Sequence, residues 1–248
     1  MAEQAIAKAD YGIDAPHMVR KMFTRAAWLI VFALLIWYLN RSNAPSNAVA
    51  ILNALGWPGL AFLAAGIVML WSSRVAKLRV RDRIIESIPW RGDEAVLDVG
   101  CGRGLLAIAA AKKLTKSGKV TGVDIWNDED LSGNTPDALR ENAKAEGVEG
   151  RIKLENVDAR KLPFAGDSFD VALSSLALHN IQEPEERAKA LAEIVRVLKP
   201  GGRLVIFDIR HAAEYAKELE RLGMTDVQLS GMSFLWLLPS RTVTAIKP

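Results

Sequence analysis

Residues that bind metals or form disulfides are scarce in this sequence. Its 248 residues include one cysteine, Cys101, and three scattered histidines, His17, His179 and His211. One cysteine cannot form an internal disulfide, and no cluster of cysteine and histidine has the spacing of a zinc site. We therefore expect no metal centre, and a folded domain that faces a reducing compartment such as the cytosol.

The sequence also lacks a large excess of charge of one sign. The 32 Lys and Arg residues face 29 Asp and Glu residues, which leaves a formal net charge of +3. So small an excess gives no reason to expect a nucleic-acid partner, and the position of the basic residues matters more than their number. Hydrophobic residues make up half of the chain, so we expect them to be concentrated in one region.

Two uncharged apolar runs lie near the N-terminus, at residues 26–39 and 48–73, with a polar turn between them. Spanning a bilayer takes about 20 residues. The second run is long enough, and the first becomes so if it starts at residue 22 and Arg25 snorkels to the interface. The sequence predicts a two-helix transmembrane hairpin at residues 22–73. The alternatives are a hairpin that dips into one leaflet, and a cleaved signal peptide with its site at residues 48–50.

Basic residues flank this predicted hairpin on both outer sides. Arg20, Lys21 and Arg25 precede the first apolar run, and five basic residues follow the second run between residues 74 and 83, whereas the turn contains only Arg41. The positive-inside rule then places both termini and the following domain in the cytoplasm. We predict a cytoplasmic segment at 1–21, a basic juxtamembrane linker at 74–83 that can also contact lipid headgroups, and a folded domain at 84–248. Residues 56–59, which include Pro58, are expected to kink the second helix or to mark its start one turn later.

From about residue 84, apolar strands alternate with helices. The predicted strands are 94–100, 119–124, 151–156, 170–174, 203–208, 226–229 and 242–246. This alternation predicts an α/β fold, with a Rossmann-like, doubly wound and mostly parallel seven-stranded sheet. In such sheets ligands bind beyond the carboxyl ends of the strands. Candidate site residues are therefore expected to follow the strands directly.

The strongest motif is the loop VLDVGCGRG at residues 96–104, which follows a predicted strand and opens a helix. Its glycines let the backbone turn tightly and approach a ligand. Its G-x-G-x-G spacing differs from the G-x-G-x-x-G of dinucleotide-binding loops, and Asp98 suits an ammonium group better than a pyrophosphate. Both features favour S-adenosylmethionine (SAM). The candidate cofactor residues of this loop are Asp98, Gly100, Cys101, Gly102 and Gly104.

Acidic residues also follow the next two predicted strands. Asp124 lies twenty residues after the glycine loop, where a carboxylate accepts ribose hydroxyls. Ile125 and Trp126 follow it and are expected to pack on adenine. Asp158 and Ala159 end the connection after the third strand, where a carboxylate can accept the adenine amino group. Three acids at three successive strand ends indicate one cofactor site.

These residues resemble the class I SAM-dependent methyltransferase superfamily. The stretches 162–170, 174–181 and 197–204 are similar to its ubiquinone/menaquinone C-methyltransferase-like branch, and the resemblance covers about residues 84–247. It implies SAM as cofactor, S-adenosylhomocysteine as product, and Ser174 as a further cofactor residue. The branch includes enzymes that act on quinones, sterols, arsenite, amines and thiols. The predicted hairpin lies outside the family pattern.

Methyl transfer from a sulfonium requires an aligned acceptor and exclusion of water more than a covalent catalyst. His179, just beyond the predicted fourth strand, is the candidate general base; the alternative is that it only shapes the pocket. His211, after the fifth strand, is the second candidate. A lone cysteine disfavours arsenite as acceptor, and the sequence SSLA at 174–177 differs from the Asn/Asp-Pro-Pro-Tyr motif of amino-methylating DNA enzymes.

The leading functional hypothesis is a membrane-anchored methyltransferase of a hydrophobic small molecule or lipid: a quinone or phenol, a thiol or an amine. The alternatives are a membrane-localised enzyme with a soluble substrate, and a SAM-binding membrane protein without catalysis. Residues 84–248 are expected to bind SAM without the rest of the chain. The acidic segment 128–137 is a lid or a solvated loop, and the apolar run 234–238 lines an acceptor pocket, touches the bilayer or belongs to the core.

Overall fold

The computed structural model describes residues 9–42, 45–127, 131–234 and 238–248. They form two units: one contains the described residues of Met1–Gly12, Ala76–Asp128 and Gly133–Pro248, and the other contains those of Ile13–Val75 and Glu129–Ser132. Parts of the acidic segment 128–137 and of the apolar run 234–238 therefore lie outside the described residues. We call the first unit the sheet unit and the second the hairpin unit.

The hairpin unit consists mainly of two long helices, α1 (Pro16–Asn40) and α2 (Pro45–Trp71). Small residues let them approach closely: a Cβ added to Gly59 would lie 2.7 Å from Ile30 Cγ1. Large apolar side chains such as Trp28 and Trp57 remain exposed. Both helices are long and apolar enough to cross a membrane, by length and composition.

Two sequence-based boundaries of the hairpin differ from the structure. Helix α1 begins at Pro16 and not near residue 22. Proline at the first helical position is preorganised for a helix, and the polar residues 17–21 continue the helix from there. Helix α2 begins at Pro45 and continues through Pro58, so residues 56–59 do not mark its start. The basic stretch 74–83, predicted as a linker, is helical: it falls in a π-helical segment, Ser72–Ala76, and in α3 (Lys77–Glu86).

The sheet unit contains seven strands in the order β3-β2-β1-β4-β5-β7-β6. Strands β1 to β5 are parallel to one another, and β7 is antiparallel to both β5 and β6. The predicted mostly parallel seven-stranded sheet is confirmed. The strands are β1 (Ala95–Val99), β2 (Lys119–Asp124), β3 (Ile152–Asn156), β4 (Phe169–Ser175), β5 (Leu198–Asp208), β6 (Thr225–Leu229) and β7 (Arg241–Ile246).

Helices cover both faces of this sheet. One buried apolar cluster packs α3, α4 (Leu105–Lys113) and α5 (Pro136–Ala145) against the strands. The other packs α6 (Pro184–Val197) and α7 (Ala212–Arg221) against the opposite face. Because β1, β2, β4 and β5 are parallel, their carboxyl ends meet at one edge of the sheet, which we call the carboxyl edge.

Candidate functional site

The glycine loop leaves β1 at the carboxyl edge in a conformation that demands glycine. The φ angles of Gly100, Gly102 and Gly104 are 70°, 51° and 88°, which are strained for other residues. A Cβ on Gly100 would lie 2.1 Å from the Cβ of Ala177. The main-chain N–H of Gly100 donates to the Val123 carbonyl at 2.8 Å, which ties the loop to β2.

Asp98 supplies an unsatisfied charge directly before this loop. Its side chain is 2 % exposed, and its Oδ2 atom has no hydrogen-bond partner among the described residues. Burial raises the pKa of Asp98 to about 7, and the nearby charge of Asp124 adds to the effect. A ligand ammonium would satisfy this orphaned oxygen and compensate the buried charge. The residues present therefore fit the methionine end of SAM.

Asp124, at the end of β2, is bound from three sides. Its Oδ2 accepts a hydrogen bond from the Gly102 N–H at 2.8 Å, and its Oδ1 accepts one from the Trp126 N–H at 2.7 Å. The Asn134 amide lies 3.4 Å from Oδ1 and also donates to the Asn127 carbonyl at 3.0 Å. Asp124 therefore joins the glycine loop to β2, in addition to its predicted role toward ribose.

Asn134 is a candidate site residue that the sequence did not reveal. It lies within the acidic connection after β2, is buried, and its Oδ1 has no partner in the part of the chain that the structure describes. The neighbouring Trp126 has a buried Nε1 that is also unsatisfied within the described ranges, whereas Ile125 is largely exposed. No local spacing marks an asparagine of this kind, so only the fold identifies it.

Three other predicted cofactor residues have side chains that are already engaged. The Cys101 side chain packs over Gly122 of β2, and burial raises the pKa of its thiol. Ser174 is buried and donates to the Val99 carbonyl at 3.0 Å. Asp158 pairs with Arg160, whose hydrogen bond lowers the pKa of that carboxyl. Ala159 packs beside the second apolar cluster. The cofactor roles of these residues remain predictions.

His179 lies in a short 3₁₀ turn, Leu178–Asn180, just beyond β4. Its Nδ1 is 2.7 Å from Oδ1 of Asp208, at an angle that gives no well-directed hydrogen bond within the described structure. Asp208 ends β5 and is 1 % exposed. Its Oδ2 accepts the His179 main-chain N–H at 3.2 Å and the Tyr215 hydroxyl at 3.3 Å. The sequence alone does not identify Asp208 as a site residue, because acidic residues are common at strand ends and nothing near it in sequence indicates its contact with His179.

A second group of side chains holds the turn that follows His179. Arg187 is buried and donates to the carbonyls of Ile181 and Gln182 at 2.8 and 2.7 Å. Its guanidinium also binds both carboxylate oxygens of Glu214, at 2.9 and 3.0 Å. Glu214 in turn lies 3.0 Å from Nδ1 of His211, the second candidate base. His211 therefore contacts a carboxylate on α7 and not the His179–Asp208 pair.

Three of the six non-glycine residues with a positive φ angle in the described ranges lie at the carboxyl edge. Trp126, Leu176 and His211 follow β2, β4 and β5, and their φ angles of 58°, 55° and 60° lie in the left-handed region. Such conformations cost about 1–3 kcal/mol each for residues other than glycine and are concentrated at functional sites. The strain supports the carboxyl edge as the functional part of the sheet unit.

Comparison with known proteins agrees with this geometry. Residues 96–202 match the family described as methyltransferase domain. The chain is 34 % identical over 131 residues to methyltransferase GfsG of Streptomyces halstedii, covering 53 % of this chain and 43 % of that protein. It is 32 % identical over 124 residues to the ubiquinone/menaquinone biosynthesis C-methyltransferase UbiE of Geotalea daltonii, covering 50 % and 49 %. The chain thus spans about half the length of the curated relatives it matches.

Solved structures show the same fold at lower sequence identity. A SAM-dependent methyltransferase from Aquifex aeolicus matches with a TM-score of 0.53 and 20 % identity, covering 68 % of this chain and 89 % of that one. The [4+2]-cyclase SpnF matches with a TM-score of 0.55 and 21 % identity, covering 69 % and 81 %. These likenesses establish the fold alone. Residues 96–202 thus match the methyltransferase-domain family, and the fold and the cofactor loop agree with the class I SAM-dependent methyltransferase that the sequence resembles.

Proposed function

We propose that this protein is a membrane-anchored enzyme that transfers a methyl group from SAM to an apolar small molecule, such as a reduced quinone or another phenol. The observation that carries the catalytic part is the arrangement at the carboxyl edge. There an unsatisfied carboxylate, Asp98, lies next to a glycine loop at the end of β1, and a histidine–carboxylate pair, His179 and Asp208, lies at the ends of β4 and β5.

Some of these residues bind SAM, and others accept a proton from the acceptor. SAM, when bound, supplies a methyl group activated by a sulfonium. The glycine loop and Asp98 bind and orient its methionine end, and Asp124 binds its ribose. Asp208 lies at Nδ1 of His179, which leaves Nε2 as the nitrogen that accepts a proton from the acceptor. A phenol that loses its proton to His179 becomes a stronger nucleophile for the methyl group.

An apolar acceptor is supported by exposed hydrophobic side chains at the carboxyl edge. The connection between β6 and β7 leaves the sheet there, because Arg241 at the start of β7 pairs with Asp208 at the end of β5. Phe234 is 72 % exposed, and Met232 and Leu238 are exposed as well. Exposed apolar groups at a binding edge favour an apolar ligand. Several similar proteins are named for methylation in ubiquinone and menaquinone biosynthesis.

The membrane anchor is supported by α1 and α2. Both are long and apolar enough to cross a bilayer, and their outer faces carry exposed Trp, Phe and Leu side chains. Basic residues outside the hairpin and a single arginine in its turn favour cytoplasmic termini and a cytoplasmic catalytic domain. Anchoring keeps the enzyme at the bilayer, where an apolar acceptor is concentrated.

Activity is tested with the full chain in nanodiscs, methyl-labelled SAM and a membrane lipid extract. We expect label in the organic phase, and much less at subsaturating SAM with the Asp98→Asn control, which removes the charge that binds SAM. Label in water-soluble products alone would favour a soluble substrate. SAM binding without any labelled product in the organic or the aqueous phase would favour a binding protein without catalysis and contradict our proposal.

Topology is tested by thiol labelling of intact cells. The native Cys101 is buried, so single cysteines can be added to the natural sequence. Ser46→Cys, at the start of α2, should react with an impermeant thiol reagent from outside. Gly150→Cys, where an added side chain meets no neighbour within 4 Å, should react only after lysis. Protection of Ser46→Cys in intact cells would instead support a hairpin that enters one leaflet without crossing.

A further inference from the structure

A segment far from the glycine loop in sequence lies beside it in the fold. Residues 9–12, which we call the N-terminal strap, precede α1 but belong to the sheet unit. The Asp10 N–H donates to Oδ1 of Asn142 on α5 at 2.8 Å, and the Asn142 Nδ2 donates to the Asp10 carbonyl at 2.8 Å. The side-chain amide thus pairs with the main chain of the strap as a neighbouring strand would.

The same two residues bind the middle of the glycine loop. Asn142, 4 % exposed, also donates from Nδ2 to the carbonyl of Arg103 at 2.9 Å. The Arg103 side chain donates from Nε to the Asp10 carbonyl at 2.8 Å and lies 3.3 Å from its carboxylate. Asp10, Asn142 and Arg103 therefore form a closed set in which each residue binds the other two.

The strap is fixed on its other side as well. Lys77, at the start of α3, is 4 % exposed and donates from Nζ to the carbonyls of Tyr11 and Gly12 at 2.9 and 2.6 Å. The Tyr11 ring packs against the first apolar cluster, and its hydroxyl lies 3.4 Å from the Glu146 carboxylate. A segment held by buried contacts on both sides can itself hold a loop in place.

The glycine loop needs such support because its own residues provide little. Gly100, Gly102 and Gly104 have no side chains to pack, and glycine loses more conformational freedom than any other residue when a loop becomes ordered. Asp124 holds the loop through Gly102 from one side. Arg103 is the residue between Gly102 and Gly104, and the strap holds it from the other side. Ordering a loop before binding reduces the entropy lost on binding.

We propose that the N-terminal strap is a positioning element of the cofactor site: it holds Arg103, orders the glycine loop and raises the affinity for SAM. The inference rests on the proposed SAM binding. It assigns a role in cofactor affinity to Asp10 and Asn142, which lie 132 residues apart in the chain. It also makes the start of the chain, and not only residues 84–248, part of the cofactor site.

The test uses the full chain in nanodiscs, with S-adenosylhomocysteine as the probe. Affinity is measured by calorimetry, and hydrogen exchange of the glycine-loop amides is measured without ligand. We expect Asn142→Ala to weaken binding about tenfold and to speed exchange at residues 102–104, because it removes three hydrogen bonds. We expect Asp10→Ala to weaken binding about threefold, since only its exposed carboxylate is lost. Arg140→Ala, which removes an exposed ion pair with Asp137 on the same helix, is the matched control and should change neither measurement.

The outcomes separate the strap from the proposed function. Absence of binding by the natural protein would overturn SAM binding, while loop exchange would still decide whether the strap orders the loop. Binding by the natural protein with equal affinity and equal loop exchange in both variants would overturn the inference. A lower melting temperature of Asn142→Ala, with unchanged affinity and unchanged loop exchange, would show a merely structural role and would also overturn it. Because the Asp10 side chain is exposed, Asp10→Ala tests the strap even if Asn142→Ala does not fold.

Discussion

The carboxyl edge has two halves that are built on different principles. In the cofactor half, at the ends of β1 and β2, the main chain forms the site, and one acid, Asp98, has an oxygen with no hydrogen-bond partner in the described part of the chain. In the acceptor half, at the ends of β4 and β5, side chains contact one another: His179 with Asp208, and Arg187 with Glu214. In the first half a ligand would supply the missing interaction with Asp98, whereas in the second half the side chains already contact one another.

This difference predicts that substitutions in the first half change the affinity for SAM, whereas substitutions in the second half change the turnover. Where only a ligand satisfies a buried charge, that interaction contributes favourably to the free energy of ligand binding. Substitutions there should therefore weaken SAM binding. A preformed group of side chains holds a base in position whether or not the cofactor is present, so substitutions there should lower turnover. Substitutions in the two halves can test this division, beginning with the largest expected effect.

Replacing the proposed base gives the sharpest test of the acceptor half. His179→Ala should lower turnover by about 10²–10⁴-fold and leave SAM affinity nearly unchanged. Single-turnover kinetics and calorimetry measure the two quantities separately. If the acceptor is already a good nucleophile, such as a thiolate, turnover will hardly change; His179 would then shape the pocket without accepting a proton.

In the cofactor half, Asp98→Asn should weaken SAM binding by about 3 kcal/mol, or about a hundredfold, because the ligand ammonium loses its buried counterion. Saturating SAM should restore most of the turnover. Calorimetry on the ligand-free protein measures the affinity. A loss of turnover that persists at saturating SAM would show that Asp98 acts in both halves and would break the comparison.

The pH dependence of Asp98 follows from its burial. Because the pKa of Asp98 is raised to about 7 in the fold from an ordinary value of 3.8, the ligand-free protein binds its proton more tightly than the unfolded chain does. Stability from this group therefore falls as pH rises from about 4 to about 7. SAM affinity should rise over pH 5.5–7.5 as the carboxylate forms. Asp98→Asn should abolish that rise and increase the Tm of the ligand-free protein at pH 7.5; an unchanged Tm would contradict the raised pKa.

Asp124 should show a mixed effect within the cofactor half, because it binds the loop as well as the proposed ribose. Asp124→Ala should weaken SAM binding by about 1.5–3 kcal/mol for each charge-assisted hydrogen bond lost. It should also speed amide exchange at Gly102, whose N–H it accepts at 2.8 Å. Unchanged affinity in a folded variant would remove Asp124 from the site.

The smallest expected effect concerns Arg187. Arg187→Lys keeps the charge but loses the bidentate contact with Glu214 and one of the two carbonyl contacts. The turn that carries His179 should become more mobile, and turnover should fall about threefold, which corresponds to about 0.6 kcal/mol. SAM affinity should not change. A change in affinity without a change in turnover would place this turn in the cofactor half.

The cofactor half was largely predictable because its signals are local. The glycines, Asp98 and Asp124 lie within about 30 residues of one another, and most strand bounds follow from short apolar runs between turn residues. Strand β5 is an exception, because it begins at Leu198 and not at residue 203. The seven-stranded sheet follows from the same runs. The sequence predicts a linker over most of α3, although Val80, Ile84 and Ile85 give this helix an apolar face at helical spacing. The high charge of the stretch obscures that periodicity.

The acceptor half and the strap could not be predicted because their contacts are distant in sequence. Asp208 contacts His179 from 29 residues away, and Asp10 contacts Arg103 from 93 residues away. A single asparagine such as Asn142 or Asn134 has no pattern around it that distinguishes a buried partner from a solvated side chain. The identity of such residues depends on packing of the whole sheet unit.

The two hydrogen bonds from Lys77 to main-chain carbonyls have a practical consequence for removing the hairpin unit from this protein. They hold Tyr11 and Gly12 against the first residue of α3, so the chain leaves the sheet unit and returns to it at neighbouring points. The residues between those points are an insertion with adjacent ends, and such insertions can be exchanged for a short linker. A chain in which a few glycine and serine residues replace residues 13–75 would keep the strap, whereas a simple truncation to residues 84–248 would discard it together with the start of α3.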